Sequence, residues 1–343
     1  MTVKRKLRPV LTSDWWLIGP SPDLKGILPG ADTWETTDHS EHRHEHNAPV
    51  DHHIVQDLKG TWHLWGCVRQ TAVGRILYHW KTDDFRTSPW ACTGEIIRIS
   101  SDYGESYGSS PGEGETDGDQ EERIQSPYFI KVEDTFYMFY GGGAARPTPD
   151  EEKKLRHLPG WVSTGSQMCL MTSRDGRAWT RYRNADCNRR VCIGPWPTRD
   201  PVLLNIDGLW YLYYAGTQNG DPAQPVFWCR TSRDLYTWSE PIRVHRDLHY
   251  GKGRWDTECP FVIFKAGYYY LFRTEDYYKS LTHVFRSEDP LDFGIGDASG
   301  KYVGVFPAAA PELYEIAGRD YVSSNHNPRL GTQMAEMAWV DDE

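Results

Sequence analysis

The chain has 343 residues and a formal net charge of -10, and 13% of its residues are aromatic, alongside 31 glycines and 22 prolines. A protein that binds nucleic acid needs a basic face to neutralise phosphates, so the acidic balance argues against nucleic acid as a partner. Many aromatic residues combined with glycine and proline favour strands joined by tight turns, which indicates an all-β fold.

The pattern of the N-terminal segment predicts neither export nor membrane insertion. MTVKRKLRPVLTSDWW is basic but lacks the apolar core of a signal peptide, and no apolar run in the chain approaches the roughly 18 residues of a membrane span. The seven cysteines are an odd number without a CxxC pair, which favours free thiols in a reducing compartment. We therefore expect a cytoplasmic protein without a membrane partner; a secreted chain that has lost its leader would share these features.

The segment HSEHRHEHNAPVDHH, residues 39–53, contains six histidines. His42, His44 and His46 alternate, so on an extended strand they would share one face, as ligands of a zinc ion do. Charged residues separate them, however, and no cysteine or second histidine pair follows at ligand spacing. We predict no metal or other cofactor, with a divalent metal at these three histidines as the less favoured alternative to a pocket rim or a solvated loop.

Five segments of the chain repeat one template, in which a proline is followed by a glycine or aspartate turn and then by an aromatic and aliphatic run. Four copies are SPYFIKVEDTFYMFYGG from Ser126, DPVLLNIDGLWYLYYAG from Asp200, CPFVIFKAGYYYLFRTE from Cys259 and APELYEIAGRDYVSS from Ala310. The segment HHIVQDLKGTWHLWG matches with His53 in the proline position. Each copy predicts a β-hairpin, and a further strand motif that follows most copies brings each unit to about four strands.

Five such units predict a five-bladed β-propeller with four-stranded antiparallel blades around a central axis. Residues 1–343 then form a single domain with blades starting near residues 48, 124, 198, 257 and 309, and with loop insertions at 101–122 and 143–165. The segment TPDEEKKLRHL predicts a short helix in the second insertion. The early segment DWWLIG and the late strand GTQMAEMAWV are expected to complete one blade and close the ring. A β-sandwich, the alternative, gives no reason for five hairpins of similar spacing.

The first strand of each propeller blade lines the axis, so residues that enter these strands converge on one mouth. There the sequence places Asp51, Asp200 and Glu258. Carboxylates brought together in a pocket cost free energy unless they have a partner or a role. Glycoside hydrolysis uses such a set: one acid protonates the leaving oxygen and a carboxylate attacks the anomeric carbon or activates water. We therefore predict these three residues as catalytic and a carbohydrate as the substrate.

Short motifs at these positions resemble a known family. RDP at 199–201 and ECP at 258–260 are similar to the second and third signatures of glycoside hydrolase family 32. Asp51 is similar to the aspartate of the first signature, because nine residues later the chain reads GTWHLWG, which begins with the expected glycine. By its motifs and repeats the chain resembles the five-bladed propeller glycoside hydrolases of families 32, 43, 68 and 117.

The resemblance implies roles for individual residues. Asp51 is implied as the nucleophile, Asp200 as the transition-state stabiliser that binds sugar hydroxyls, and Glu258 as the general acid and base. Arg199 is implied to hydrogen-bond the sugar and to lower the pKa of neighbouring carboxylates. Families 43 and 117 imply instead an inverting reaction, with a base aspartate in the first blade.

Further residues are predicted to bind substrate around the catalytic set: His52, His53, Ser126, Arg199, Trp255 and His326. Around Asp51 the chain reads APVDHHIV, whereas family 32 has Asn before the aspartate and Pro, Asn, Gly after it, so the sugar need not be fructose. A furanoside or a pyranoside fits this departure. The alternatives are a non-catalytic carbohydrate-binding propeller and a propeller phosphorylase or transglycosylase.

Overall fold

A computed structural model describes residues 4–33, 47–103, 105, 122–144, 153, 166–183, 190–195, 197–218, 221–247, 249, 257–325 and 331–342. Nearly all of the regular structure in these ranges is β-strand, as the composition predicts, with single-turn 3-10 helices at Ser101–Tyr103 and Ser299–Lys301. No helix among the described residues is long and apolar enough to cross a membrane.

The strands form successive antiparallel groups. The N-terminal half contains β1 (Leu7–Leu11), β2 (Trp16–Gly19), β3 (Ala48–Gln56), β4 (Trp62–Thr71), β5 (Gly74–Thr82), β6 (Ala91–Ile97), β7 (Glu122–Val132), β8 (Thr135–Ala144), β9 (Ser166–Ser173), β10 (Thr180–Arg181) and β11 (Arg190–Ile193). The first group runs in the order β3-β4-β5-β6. In the second, β7, β8 and β9 are consecutive and both β10 and β11 pair with β9. A short parallel pairing of β5 with β7 joins the two groups.

The rest of the chain continues this pattern. It contains β12 (Arg199–Ile206), β13 (Leu209–Gln218), β14 (Asp221–Ser232), β15 (Ile242–Asp247), β16 (Glu258–Lys265), β17 (Tyr268–Asp276), β18 (Leu281–Ser287), β19 (Ile295–Gly296), β20 (Tyr302–Phe306), β21 (Glu312–Ile316), β22 (Arg319–Ser324) and β23 (Thr332–Asp341). The third group is β12-β13-β14-β15, with β19 on its edge, and the fourth is β16-β17-β18-β20. In the last group, β21, β22 and β23 come from the C-terminus and β1 from the N-terminus.

All five repeats form the hairpins that the sequence predicts: β3-β4, β7-β8, β12-β13, β16-β17 and β21-β22. The turn of β12-β13 shows why the template requires a glycine. Ile206 pairs with Leu209, and the two residues between them, Asp207 and Gly208, have φ values of 50° and 80°. Two consecutive left-handed residues are the signature of the turn that matches the twist of antiparallel strands.

The first strand of each hairpin is here called an inner strand, and the first four inner strands lie side by side in chain order. β3 packs beside β7, β7 beside β12, and β12 beside β16. Each inner strand also carries one residue with a left-handed backbone near its start: Asp51 (φ 37°), Ser126 (54°), Asp200 (56°), Cys259 (50°) and Ala310 (47°). In β3, β7, β12 and β16 the strand pairing shifts at this residue, which is a β-bulge. Bulges re-aim a side chain, and here they recur in register at one end of the inner strands.

The left-handed residues correct the alignment of the first repeat. Asp51 is equivalent to Ser126, Asp200, Cys259 and Ala310, each of which precedes a proline, so His52 occupies the proline position. The sequence-based assignment of His53 to that position is wrong by one residue. It failed because this copy contains no proline at the bulge.

Residues from the two ends of the chain share one sheet. β1 pairs with β23 from Leu7↔Asp341 to Leu11↔Met337, and β2 pairs with the start of β23. The expectation that DWWLIG and GTQMAEMAWV complete one blade is confirmed for the pairing, since β2 lies in the first segment and β23 in the second. The strand that extends the sheet beyond β23 is β1, which the sequence did not identify.

Several predictions fall partly or wholly outside the described residues. These are the helix in TPDEEKKLRHL and most of the two loop insertions, 101–122 and 143–165. Of the seven cysteines, the six within the described ranges are free thiols, in agreement with the sequence.

Candidate active site

The bulged ends of the inner strands meet at one open pocket. Its lining consists of Asp51, His52, Ser126, Pro127, Asp200, Pro201, Cys259, Pro260, Ala310 and Glu312. All five repeats contribute, and each gives its left-handed residue. The backbone of a non-glycine residue in this conformation costs about 1–3 kcal/mol, and such strain is concentrated at functional sites.

Asp51 is held by hydrogen bonds from the second and the fourth repeat. The Tyr277 hydroxyl donates to Asp51 Oδ1 at 2.6 Å, and the Ser126 hydroxyl lies 3.1 Å from Asp51 Oδ2. Cys259 Sγ lies 3.4 Å from the same Oδ1 and 2.7 Å from the Tyr277 oxygen. These contacts fix the carboxylate of Asp51 in one orientation at the pocket.

The Ser126 hydroxyl links Asp51 to Asp200. Its oxygen is 3.1 Å from Asp51 Oδ2 and 2.7 Å from Asp200 Oδ1. A serine has a single O–H donor, so it can satisfy both contacts as hydrogen bonds only if one carboxyl group is protonated and donates to the serine. Burial raises the pKa of Asp200, which favours the protonated form of this carboxyl group in the shared contact.

Asp200 is almost completely buried, with 7% of its surface exposed. Its Oδ2 accepts a hydrogen bond from the Cys259 backbone N–H at 3.1 Å and lies 3.5 Å from Arg199 Nε. The positive charge of Arg199 opposes the rise in the pKa of Asp200, but burial has the larger effect. These contacts hold the carboxyl group of Asp200 in a fixed position near Asp51, to which the Ser126 hydroxyl links it.

Glu258 forms an ion pair with Arg199, whose Nη2 donates to Glu258 Oε1. Burial is the main cause that raises the pKa of Glu258 to about 7, while Arg199 acts in the opposite direction and the charges of Asp200 and Asp51 add to the rise. The sequence-based expectation that Arg199 lowers neighbouring carboxyl pKa values holds for its own contribution, but the net shift is upward. A glutamate with a pKa near neutrality can both donate and accept a proton.

The two predicted histidines differ in their position relative to the pocket. His52 lines the pocket, yet Nδ1 is 2.6 Å from Asn325 Oδ1 and Nε2 is 2.5 Å from Ser323 Oγ, so both ring nitrogens have partners in the fifth repeat. His53 is not among the lining residues; its Nδ1 accepts from the Phe129 backbone N–H at 3.2 Å. His52 thus acts as a link between the first and fifth repeats.

The structure brings together Asp51, Ser126, Arg199, Asp200 and Glu258 of the predicted set. Trp255 and His326, and the histidines of the alternative metal site, His42, His44 and His46, lie outside the described residues.

The sequence pattern assigned no role to three residues at the site. Cys259 directly precedes a proline, but the prediction rests on the carboxyl group of its neighbour Glu258. Tyr277 follows the second strand of the fourth hairpin, which returns to the end of the sheet where Glu258 begins, and no proline marks that position. Glu312 lies two positions beyond Ala310, on the same face by the period of a strand, and so after the position that the proline marks.

The donor atoms of Asp51, Asp200 and Cys259 lie within 4.8 Å of one another, close enough to share one cation. Each of them, however, already takes part in the hydrogen bonds described above. The chemistry that this arrangement supports best is proton transfer among carboxyl groups.

No family model matches the chain, and no curated protein sequence matches it. Solved structures do match. The GH32 β-fructofuranosidase BmSUC1 of Bombyx mori has a TM-score of 0.53 at 14% identity, and the match covers 87% of this chain and 62% of that enzyme. The fold is that of β-propeller glycoside hydrolases. The xylan β-1,4-xylosidase of Bacillus halodurans C-125 matches with a TM-score of 0.54 at 15% identity, over 87% of this chain and 53% of that enzyme.

A GH43_1 enzyme from Xanthomonas citri matches with a TM-score of 0.52 at 12% identity, over 85% of this chain and 89% of its own. The chain thus spans 62% and 53% of the lengths of the fructofuranosidase and the xylosidase. The resemblance in fold to families 32 and 43 that the motifs indicated is confirmed. At these identities the likeness concerns the fold.

Proposed function

We propose that the protein is a glycoside hydrolase in which Asp51, Asp200 and Glu258 are the catalytic carboxyl groups. The observation that carries the proposal is the contrast between the surroundings of Asp51 and Glu258 at one site. Asp51 is placed to accept hydrogen bonds, while the pKa of Glu258 is raised to about 7. Two carboxyl groups with environments that separate their protonation states provide an acid and a base at the same pH.

The proposed scaffold is a single five-bladed propeller. Five antiparallel groups, successive packing of inner strands, and the addition of β1 to the C-terminal group support this blade count. In such a ring the pocket lies on the central axis. The bound molecule would then be a carbohydrate, and a mutant of the Bombyx mori enzyme has been solved in complex with sucrose.

In the proposed reaction Glu258 protonates the glycosidic oxygen as the bond to the anomeric carbon breaks. Asp51 either attacks this carbon or activates the water that does so, and Asp200 forms hydrogen bonds with sugar hydroxyls. In the first case Glu258 next removes a proton from the incoming water; in the second case the base is Asp51. Proton NMR of the first anomer released distinguishes retention from inversion and so assigns the role of Asp51.

The test is a screen of aryl fructofuranosides, arabinofuranosides and xylosides, and of the corresponding oligosaccharides, with and without phosphate. With the best substrate we expect Asp51→Asn and Glu258→Gln each to lower kcat about 100- to 10,000-fold, because each removes an acid–base or nucleophilic step. Matched controls are Asp207→Asn and Glu315→Gln, which make the same changes at exposed positions. Their kcat should stay within about two-fold of the wild-type value, as expected for surface changes without a substrate contact.

Unchanged turnover in both catalytic variants would contradict the proposal. Saturable binding of an oligosaccharide without turnover by the wild type would indicate a carbohydrate-binding propeller instead. Turnover that requires phosphate would indicate a phosphorylase that uses the same pocket.

A further inference from the structure

A third carboxyl group lines the pocket beside those of Asp51 and Asp200, and the proposed reaction does not use it. It belongs to Glu312, at the start of β21 and two residues after the left-handed Ala310. The equivalent positions of the other inner strands hold His53, Tyr128, Val202 and Phe261, whose side chains are buried. Of these five equivalent positions, all within the described residues, only the one in β21 holds a carboxyl group, that of Glu312.

The hydrogen-bonding capacity of the Glu312 carboxyl group is not satisfied by its surroundings. Its Oε2 is buried and has no hydrogen-bond partner among the described residues. The nearest basic group is His53 Nε2, at 3.6 Å, which exceeds a normal hydrogen-bond length. Burial lowers the pKa of His53 to about 3, so this ring is neutral and forms no ion pair with Glu312.

Burial is also the main reason why the pKa of Glu312 lies well above its ordinary range, and the charges of Asp51 and Asp200 reinforce the shift. Burial therefore favours the uncharged carboxylic acid, which has one O–H donor and spare acceptor capacity. A buried polar atom without a partner costs free energy. A site that contains one favours the binding of a ligand that completes its hydrogen bonds, and it rejects analogues that cannot.

We propose that Glu312 is a specificity-determining residue, which binds a hydroxyl group of a neutral sugar unit from the floor of the pocket. This inference rests on the proposed function, because it assigns Glu312 to the same site. We expect a uronic acid unit to bind less well, since its carboxylate would enter a pocket whose described lining contains the carboxyl groups of Asp51, Asp200 and Glu312 but no lysine or arginine. The guanidinium group of Arg199, next to Asp200 in the chain, is already engaged by Glu258 and Asp200.

The test compares Glu312→Gln, which keeps the shape and hydrogen-bonding capacity, with Glu312→Leu, which removes the polar atoms. Glu315→Leu is the control, because Glu315 lies on the same strand with an exposed side chain. The substrate is the best aryl glycoside from the screen, together with its complete set of monodeoxy analogues.

We expect Glu312→Gln to stay within about three-fold of the wild-type kcat/KM. Glu312→Leu should lose about 10- to 100-fold, mostly through KM, because it leaves a substrate hydroxyl unpaired. The decisive readout is discrimination. The wild type should reject one monodeoxy analogue about ten-fold or more, and Glu312→Leu should accept that analogue as well as the parent glycoside. A residue that only stabilises the fold would not change the preference at a single hydroxyl.

The same variants separate this inference from the proposed function. If the wild type shows no turnover, the affinities of free xylose, arabinose and fructose and of glucuronic acid are measured by calorimetry. Binding of a neutral sugar that weakens at least five-fold in Glu312→Leu but not in Glu312→Gln would support the role of Glu312, even though the proposed catalysis had failed.

Three results would overturn the inference: Glu312→Leu with wild-type discrimination among the analogues, Glu312→Leu with wild-type affinity for every sugar, or tighter binding of glucuronic acid than of the neutral sugars. Leucine replaces an unsatisfied polar group with an apolar one, so the variant should fold with an unchanged or raised Tm. If it does not fold, Glu312→Ala serves as the second removal variant, judged by the same criteria.

Discussion

At the scale of single residues, the site separates carboxyl groups of similar chemistry by their surroundings. Glu258 and Asp200 are both raised in pKa, chiefly by burial, whereas Asp51 receives the Tyr277 hydroxyl and lies at the accepting end of the Ser126 link. Arg199 contacts both raised groups and moderates the shift of each. Glu258 is suited to act as the acid of the proposed reaction because burial raises its pKa, since a glutamate exposed to solvent would be ionised at neutral pH.

The raised pKa of Glu258 makes the pH dependence of activity a direct test at this scale. A general acid must be protonated, so kcat/KM should fall as the pH rises through about 7, the pKa of Glu258 in the free protein. Arg199→Met should move this basic limb to higher pH, because the guanidinium lowers the pKa of Glu258. Steady-state rates between pH 5 and 9 would measure both. A basic limb that stays in place in Arg199→Met would show that another group controls it.

At the scale of elements, the inner strand with its bulge is the unit that builds the pocket. The repeat, the hairpins and three carboxyl positions could be predicted because they leave local patterns: a turn at a fixed spacing in every copy, a proline in four of them, and an acid one or two residues before the proline position of the aligned template. The left-handed backbone at Asp51 could not, because the first repeat has His52 where the others have proline. Tyr277 could not be predicted either, because it comes to the site only when the second strand of its hairpin pairs back along the first. Glu312 lines the pocket because alternate residues of a strand share one face, which can be used only once the start of the strand is known.

The link between the first and fifth repeats gives a prediction for stability. His52 is buried between Asn325 and Ser323, and burial lowers its pKa from 6.5 to about 4. As the pH falls below about 6.5, the unfolded chain takes up a proton at this histidine while the folded protein does not until about pH 4, so folding loses stability across this window. Between pH 7 and 4.5 the loss from His52 amounts to about 2 kcal/mol.

Urea unfolding at pH 7, 5.5 and 4.5 tests this expectation. His52→Gln should lose about 2 kcal/mol less than the wild type across this range, because glutamine does not titrate. His249→Gln is the control, since the His249 side chain is 59% exposed, and it should follow the wild-type dependence. An acid-induced loss of the same size in His52→Gln and in the wild type would show that His52 is not a source of the acid sensitivity.

At the scale of the whole molecule, the two ends of the chain hold one sheet together. β1 pairs with β23 along its full length. Leu7 is 6% exposed, belongs to the same apolar cluster as Val322 and Met337, and its backbone N–H donates to the Tyr270 hydroxyl of the fourth group at 2.9 Å. Beside it, Arg5 forms a two-pronged ion pair with Asp341. The N-terminal segment from Arg5 into β1 thus offers an ionic and an apolar contact whose contributions can be compared.

We expect the apolar contact to contribute more than the ion pair to the stability of this pairing between β1 and β23. Leu7→Ala should lower the free energy of unfolding by about 2–4 kcal/mol, because it removes buried methyl groups and leaves a cavity. Arg5→Ala should cost at most about 0.5 kcal/mol, since both charged side chains are exposed to solvent, which screens the pair. Urea unfolding of the two variants beside the wild type provides the comparison. A larger loss in Arg5→Ala than in Leu7→Ala would show that ionic pairing, rather than the apolar packing of β1, keeps the chain ends together.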